Sequence, residues 1–246
     1  MSEELLLFIV VGFFAQLVDG ALGMAFGVIS STCLLMLGVP PATASALVHV
    51  TEVFTTAASG ASHVYHRNVD WRLVARLAPA GAVGGVLGAY ALSNLDADFM
   101  RPVVSVYLAG IGCFLIFKAR RQVWPGEFDD RLVPLVGVAG GALDAAGGGG
   151  WGPIVTGTLL GRGHVPRTVI GSVNLTEFIV TVVISVTFVV TLGLADIRPA
   201  LGLILGGVVA APFGGYLAKR IPTRPLMVVV GIVIIATSVP RIFGFL

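Results

Sequence analysis

The chain has 246 residues, of which 56% are hydrophobic and only 11% are charged. Because soluble domains ordinarily carry about 25% charged residues, this composition excludes an ordinary water-soluble protein and predicts an integral membrane protein. The 15 basic and 13 acidic residues leave a net charge of +2. So small an excess gives no reason to expect a nucleic-acid partner.

Six segments are long and apolar enough to cross a bilayer, which requires about 20 residues. They are residues 42–64, 73–92, 99–117, 168–192, 199–217 and 226–239. Two further apolar regions, residues 5–37 and 132–161, are too long for one span and are interrupted by glycine-rich segments. We therefore expect two broken, re-entrant-like helical hairpins, with arms of about 10 to 14 residues that reach the bilayer midplane.

The two halves of the chain are duplicates. Residues 11–56 and 136–181 align without a gap and are identical at 16 of 46 positions, where composition alone predicts about 4. Each half holds one hairpin and three spans, so the halves must have opposite orientations. The expected fold is an all-α polytopic membrane protein with an inverted repeat: residues 1–122, a cytoplasmic linker at 123–131, and residues 132–246.

The basic residues support this topology, because cytoplasmic loops carry an excess of Lys and Arg. If both hairpins return to their starting side, one face holds Arg67, Arg72, Arg76, Lys118, Arg120, Arg121, Arg131, Arg162, Arg167, Lys219, Arg220 and Arg224. The opposite face holds only Arg101, Arg198 and Arg241. We therefore expect a multi-pass protein of the inner (plasma) membrane with both termini extracytoplasmic.

A few polar residues fall at membrane depth, where ionisable groups are costly and mark pathways or relays. His49 and Glu52 share one helical face, as do Asn174 and Glu177 at the matching repeat positions. The acidic residues predicted to serve proton coupling or gating are Asp19, Glu52, Asp144 and Glu177. A structural role as helix caps or bonds between spans is the alternative for each of them.

The hairpin tips are the predicted anion site, since the N-terminus of a half-helix presents unpaired N–H groups and a positive dipole end. Backbone at the tips and nearby hydroxyl, amide and imidazole groups would then hold the substrate. The predicted substrate-binding residues are Gly23, Gly27, His49, Thr51, Gly148, Gly149, Gly150, Trp151, Ser172, Asn174 and Thr176. The alternative for the glycines is that they only permit tight turns and close packing.

The sequence gives little support for a metal site or for enzymatic activity. His63 and His66 could contribute to a metal site but have no third ligand nearby in the sequence, so we expect no metal and no cofactor. The chain has no HExxH or GxSxG sequence and no Walker A motif. An acid pair of Asp19 and Asp144 is the remaining argument for an intramembrane enzyme.

The sequence resembles the TauE/SafE family of sulfite exporters over essentially its whole length. The resemblance rests on Gly147–Pro153, on Pro166–Thr168 and on Asn174–Glu177, whereas the first hairpin has the looser form Gly20–Gly27 without a following proline. The resemblance implies a transporter of sulfite, sulfonates, thiosulfate or other small organic anions, and no enzyme.

The sequence thus favours a secondary transporter of sulfite or a related small anion, with export as the preferred direction. The anion is expected to bind at the midplane between the repeats. Its expected partners are that anion, the lipid bilayer and a coupled proton, and the oligomeric state is left open. An ion or proton channel is the main alternative, followed by an intramembrane enzyme.

Overall fold

The computed structural model describes residues 2–22, 24–120, 130–160, 166–193, 196–217 and 223–243. Within these ranges the regular structure is entirely helical, with one 3₁₀ turn at Asp130–Leu132 and one π-helical segment at Gly152–Thr156. The α-helices are α1 (Ser2–Leu22), α2 (Phe26–Met36), α3 (Pro41–Tyr65), α4 (Trp71–Asn94), α5 (Ala97–Arg120), α6 (Val133–Gly147), α7 (Gly157–Leu160), α8 (Pro166–Leu192), α9 (Arg198–Leu217) and α10 (Thr223–Ile242). Gly23, Arg121, Arg162, Lys219 and Arg220 lie outside the described residues.

Both long apolar regions are interrupted at their glycine-rich segments. The first forms α1 and α2, and the second forms α6 followed by the π-helical segment that continues into α7. The predicted arm length of 10 to 14 residues is wrong for α1, which has 21 residues, and for α6, which has 15. Residues 19–22 remain helical because single glycines lower helix stability by only about 1 kcal/mol each.

Four helices in the described part of the chain have the length and composition to cross a membrane: Trp71–Asn94, Ala97–Arg120, Thr168–Leu192 and Arg224–Ile242. The other two predicted spans lie in α3 and α9. Helix α3 is not among the four because it is too polar and carries the buried residues His49 and Glu52. Large apolar side chains cover the outside of the bundle, including Phe14 and Leu87 at 60% and 59% exposure. Such a surface suits contact with lipid.

The packing of the helices follows the repeat. In the second half, α6, α8, α9 and α10 are the counterparts of α1, α3, α4 and α5. The pair α1–α9 therefore corresponds to the pair α6–α4, and α3–α9 corresponds to α8–α4. The remaining large contacts, α3–α8 and α5–α10, each join a helix to its own counterpart. Exchange of the two halves thus leaves the pattern of these large contacts unchanged, whereas their inversion in the membrane remains a prediction.

Glycines allow the hairpin helices to approach their partners at backbone distance. A Cβ atom at Gly12 of α1 would lie 2.4 Å from the carbonyl oxygen of Leu203 on α9. At the matching positions of α6 and α4, a Cβ atom at Gly137 would lie 3.2 Å from the carbonyl oxygen of Leu77. On α4, a Cβ atom at Gly84 would lie 2.0 Å from the carbonyl oxygen of Val138 on α6.

Gly84→Ala is therefore expected to destabilise the protein by about 1 to 3 kcal/mol, since the added methyl group must push α4 away from α6. The matched control is Gly110→Ala on α5, where a Cβ atom has no neighbour within 4 Å. Thermal unfolding of both variants in one detergent measures the difference. Equal melting temperatures would contradict the close approach of α4 and α6.

Candidate functional site

The two broken hairpins meet beside Glu52. A Cβ atom at Gly27, in the first turn of α2, would lie 2.8 Å from the Cα atom of Gly149 and 2.7 Å from Oε1 of Glu52. Conversely, a Cβ atom at Gly149 would lie 2.4 Å from the backbone nitrogen of Val28. Gly149 has a φ of +144°, a conformation that only glycine adopts without strain. The tips are therefore in direct backbone contact, and we call this region the junction.

Each hairpin supplies a carboxylate that caps its own second half-helix. Oδ1 of Asp19 accepts hydrogen bonds from the backbone N–H groups of Ala25 and Phe26, at 2.7 and 3.2 Å. At the matching position, Oδ1 of Asp144 accepts from the N–H of Trp151 at 2.9 Å. A helix that begins inside a membrane has no water to satisfy its first N–H groups. Both aspartates thus have the structural role that the sequence left as the alternative.

His49 connects α3 to Asp144. The Ser45 hydroxyl donates its proton to the carbonyl of Ala145 at 2.6 Å, so it has none left for the imidazole. Nδ1 of His49 lies 2.8 Å from the carbonyl oxygen of Ser45 and must donate to it. Nε2 lies 3.2 Å from Oδ2 of Asp144. The imidazole and Asp144 are both fully buried, which fixes the orientation of the ring.

The structure brings together the four acidic residues that the sequence predicted for coupling or gating. Glu52 lies close enough to Asp144, Glu177 and Asp19 for their charges to interact. Only 4% of Glu52 is exposed, and its Oε2 atom has no hydrogen-bond partner among the described residues. Glu177 is partly exposed. The junction is therefore an acidic region, and Glu52 is its buried glutamate.

The predicted hydroxyl and amide donors are used elsewhere. Thr51 and Thr176 donate to the carbonyl groups of Leu47 and Ser172, one turn earlier in their own helices. Ser172 donates to the carbonyl of Thr168 and accepts from the backbone N–H of Asp70. The amide of Asn174 donates to Ile170, and its oxygen accepts from Ser59 on α3. None of these bonds leaves the hydroxyl protons of Thr51, Ser172 or Thr176 free for an anion.

The glycine-rich second tip is filled by protein. The Ser31 hydroxyl donates to the carbonyl of Gly148, and the Tyr107 hydroxyl donates to the carbonyl of Gly149 at 3.0 Å. A Cβ atom at Gly150 would lie 1.8 Å from the Tyr107 oxygen. Trp151 is fully buried. Its ring packs on Gly81, so the indole has a packing role here.

Sequence reasoning missed Ser31, Ser45 and Tyr107, which join the second tip to α2, α3 and α5. For Ser45 a signal was present, since it lies one turn before His49 on the same helical face. Ser31 and Tyr107 carried no such signal, because Ser31 lies 117 residues from Gly148 and Tyr107 lies 42 residues from Gly149.

A second polar region lies between the end of α2, α5 and α10. It is a cleft of about 460 Å³, lined by Arg101, Arg241, Asp98 and Ser105 among others. Arg241 is buried and donates to the carbonyl groups of Thr237 and Thr32 at 3.0 and 3.4 Å. Arg101 pairs with Asp98 at 3.4 Å. The side chain of Arg241 is therefore buried in the protein, although the residue lies in the last turn of α10.

Replacement of Asp19 tests the capping role. Asp19→Ala leaves two N–H groups at the start of α2 without an acceptor, which should destabilise the protein by about 1 to 3 kcal/mol. Asp19→Asn keeps one acceptor oxygen and should retain most of the stability. Unfolding of the two variants in detergent compares them, and loss of the same free energy in both would argue that the charge of Asp19 matters rather than the cap.

The comparisons with known proteins agree on a class. The chain matches the family model described as Sulfite exporter TauE/SafE over residues 8–240. It is 40% identical over 239 residues to the Probable membrane transporter protein YtnM of Bacillus subtilis (strain 168), a match that covers 93% of this chain and 79% of the relative. No solved structure matches the chain significantly. The chain therefore belongs to the TauE/SafE family, whose members are membrane transporters and not enzymes.

Proposed function

We propose that the protein is a secondary transporter that exports sulfite or a related small sulfur-containing or organic anion. Membership of a family described as sulfite exporters supports the substrate class. The observation that carries the mechanism is the meeting of two broken hairpins beside the buried Glu52. Half-helices that meet between repeats are the usual binding region of secondary transporters.

The bound anion needs positive charge or N–H donors, because an unpaired anion in an apolar interior is very costly. The first N–H groups of both half-helices are used by Asp19 and Asp144. Arg241 supplies the clearest alternative, since its described bonds all go to neutral oxygens of Thr237, Thr32 and Ser238. Its charge is therefore available to an anion in the cleft that it shares with Arg101.

We assign this cleft a place in the transport cycle from the predicted orientation of the chain in the membrane. Arg101 and Arg241 belong to the small basic set that we assign to the extracytoplasmic face, with both termini on that side of the plasma membrane. An anion released there leaves the cell down the membrane potential, which contributes about 2.3 kcal/mol per charge per 100 mV. We propose the cleft as the outer part of the anion pathway.

Passage of an anion past the junction requires neutralisation of its acidic groups, since like charges repel strongly where water is scarce. Asp19 is committed to the start of α2. Glu177 is partly exposed and faces the charges of Asp19 and Asp144. We therefore assign proton exchange during the cycle to Glu177 rather than to Asp19.

Flux measurements in proteoliposomes test the proposed function. Sulfite, sulfate, thiosulfate, taurine and lactate are compared at several concentrations, with empty liposomes as the control. We expect that sulfite flux saturates with concentration and that an inside-negative membrane potential drives it outward. A flux that rises linearly with concentration would indicate the channel alternative. Saturable flux of lactate or taurine without sulfite would replace sulfite by another member of the proposed class, and no saturable flux of any of these compounds would overturn the proposal.

Arg241→Gln is expected to raise the KM for sulfite about tenfold, because a hydrogen bond to a charged group contributes about 1.5 to 3 kcal/mol. The matched control is Arg76→Gln, which removes an exposed arginine paired with Asp130 at 2.7 Å. The control should leave KM unchanged. An unchanged KM in Arg241→Gln, with normal protein levels in the liposomes, would remove Arg241 from the anion pathway.

A further inference from the structure

We infer that the junction holds one divalent transition-metal cation, bound by Nε2 of His49 and by the carboxylates of Glu52 and Asp144. One ligand atom of each residue lies within 4.8 Å of the other two. His49 is fully buried, and Glu52 and Asp144 are 4% and 1% exposed. The set is compact, shielded from water and composed of groups that bind such ions.

The hydrogen bonds of His49 leave a lone pair directed at Asp144. Because Nδ1 donates to the carbonyl of Ser45, a neutral ring carries its lone pair on Nε2. A ligating histidine characteristically donates its other ring N–H to a carbonyl or carboxylate in this way. Nε2 and Oδ2 of Asp144 lie 3.2 Å apart, and either a shared proton or a metal cation satisfies this pair.

The distance between the ligand atoms of His49 and Asp144 suits a metal ion. Ligands at about 2.0 to 2.1 Å from a tetrahedral centre are separated by about 3.3 Å, close to the 3.2 Å between Nε2 of His49 and Oδ2 of Asp144. Oδ1 of Asp144 remains on the N–H of Trp151. The second hairpin would therefore be joined to α3 through both the metal and the cap.

Glu52 supplies the independent indication of a ligand. Its Oε2 atom is buried and has no hydrogen-bond partner in the described part of the chain, although a buried polar atom without a partner is destabilising. Metal ligation requires both carboxylates to be ionised and the imidazole to be neutral. One divalent cation balances the charge of −2 that this ligand set then carries.

The repeat provides an internal comparison. The equivalent set in the second half is Asn174, Glu177 and Asp19, and it lacks an imidazole. Asn174 is already bonded to Ile170 and Ser59. We therefore expect one metal ion in each chain, at the site of His49. Sequence reasoning considered only His63 and His66 as metal ligands, since His49 and Asp144 are 95 residues apart and show no motif.

A metal at this position would neutralise Glu52 and Asp144 and present positive charge to a passing anion. This role rests on the proposed function, whereas binding of the metal does not. An imidazole with two carboxylates favours Mn²⁺, Fe²⁺, Co²⁺ or Zn²⁺ over Mg²⁺ and Ca²⁺, which prefer sites made of oxygen ligands alone.

The test is metal binding by the purified full chain in detergent after removal of metals with a chelator. Zn²⁺, Mn²⁺ and Co²⁺ are titrated singly, bound metal is counted by elemental analysis, and the visible spectrum of bound Co²⁺ reports its ligands. One ion per chain is expected for at least one of these metals. Glu52→Gln and His49→Asn should each weaken binding by at least about tenfold, whereas the matched control Glu177→Gln should bind normally.

Binding of no metal by the folded parent protein would overturn the inference, as would equal losses in Glu52→Gln and Glu177→Gln. Should His49→Asn not fold, Glu52→Gln and the Co²⁺ spectrum decide. The metal-binding experiment and the flux measurement together distinguish failure of the two proposals. Metal binding by a protein without sulfite flux removes the proposed function and keeps the site, whereas sulfite flux by a protein that binds no metal does the reverse.

Discussion

The structure depends on one interaction, the capping of a helix that begins inside the bilayer by a carboxylate from the preceding helix. Asp19 and Asp144 satisfy backbone N–H groups that would otherwise have no acceptor in a region without water. This is why a chain can break twice in its most apolar regions. It also explains why an aspartate occurs at the same place in both repeats, next to glycines that let the tips touch.

Capping by aspartate has an electrostatic consequence for transport. Each cap brings a negative charge to the place where a half-helix dipole would otherwise attract an anion, and Glu52 and Glu177 add two more acidic groups. An anion transporter with such a centre needs compensating positive charge. Arg241 offers it in the cleft, and we infer a metal ion at His49, Glu52 and Asp144.

The sequence predicts the parts of this arrangement that depend on local pattern and duplication. Apolar length locates the helices, and glycine-rich segments locate the interruptions between α1 and α2 and after α6. The polar residues at membrane depth are also correctly singled out, since His49, Glu52 and Asp144 do meet. Helical spacing is sufficient for His49 and Glu52, which are three residues apart.

What the sequence could not predict depends on contacts between distant segments. Thr51 and Thr176 are correctly recognised as polar residues within helices, but their hydroxyls bond to their own backbone, a choice that spacing does not reveal. Tyr107 and Ser31 reach the second tip from α5 and α2. Arg241 sits near the end of an apolar helix, and only packing against α2 and α5 shows that its charge is buried.

The central claim is that the junction, which is built from helices inside the membrane, opens to the anion during the transport cycle. Ala146, in the last turn of α6 and partly exposed, allows a direct measurement. In a variant without Cys33 and Cys113, the rate at which Ala146→Cys reacts with a membrane-impermeant thiol reagent is measured from each side, with and without sulfite. The account predicts reaction that sulfite slows; complete protection from both sides under both conditions would show that the tips are closed structural turns.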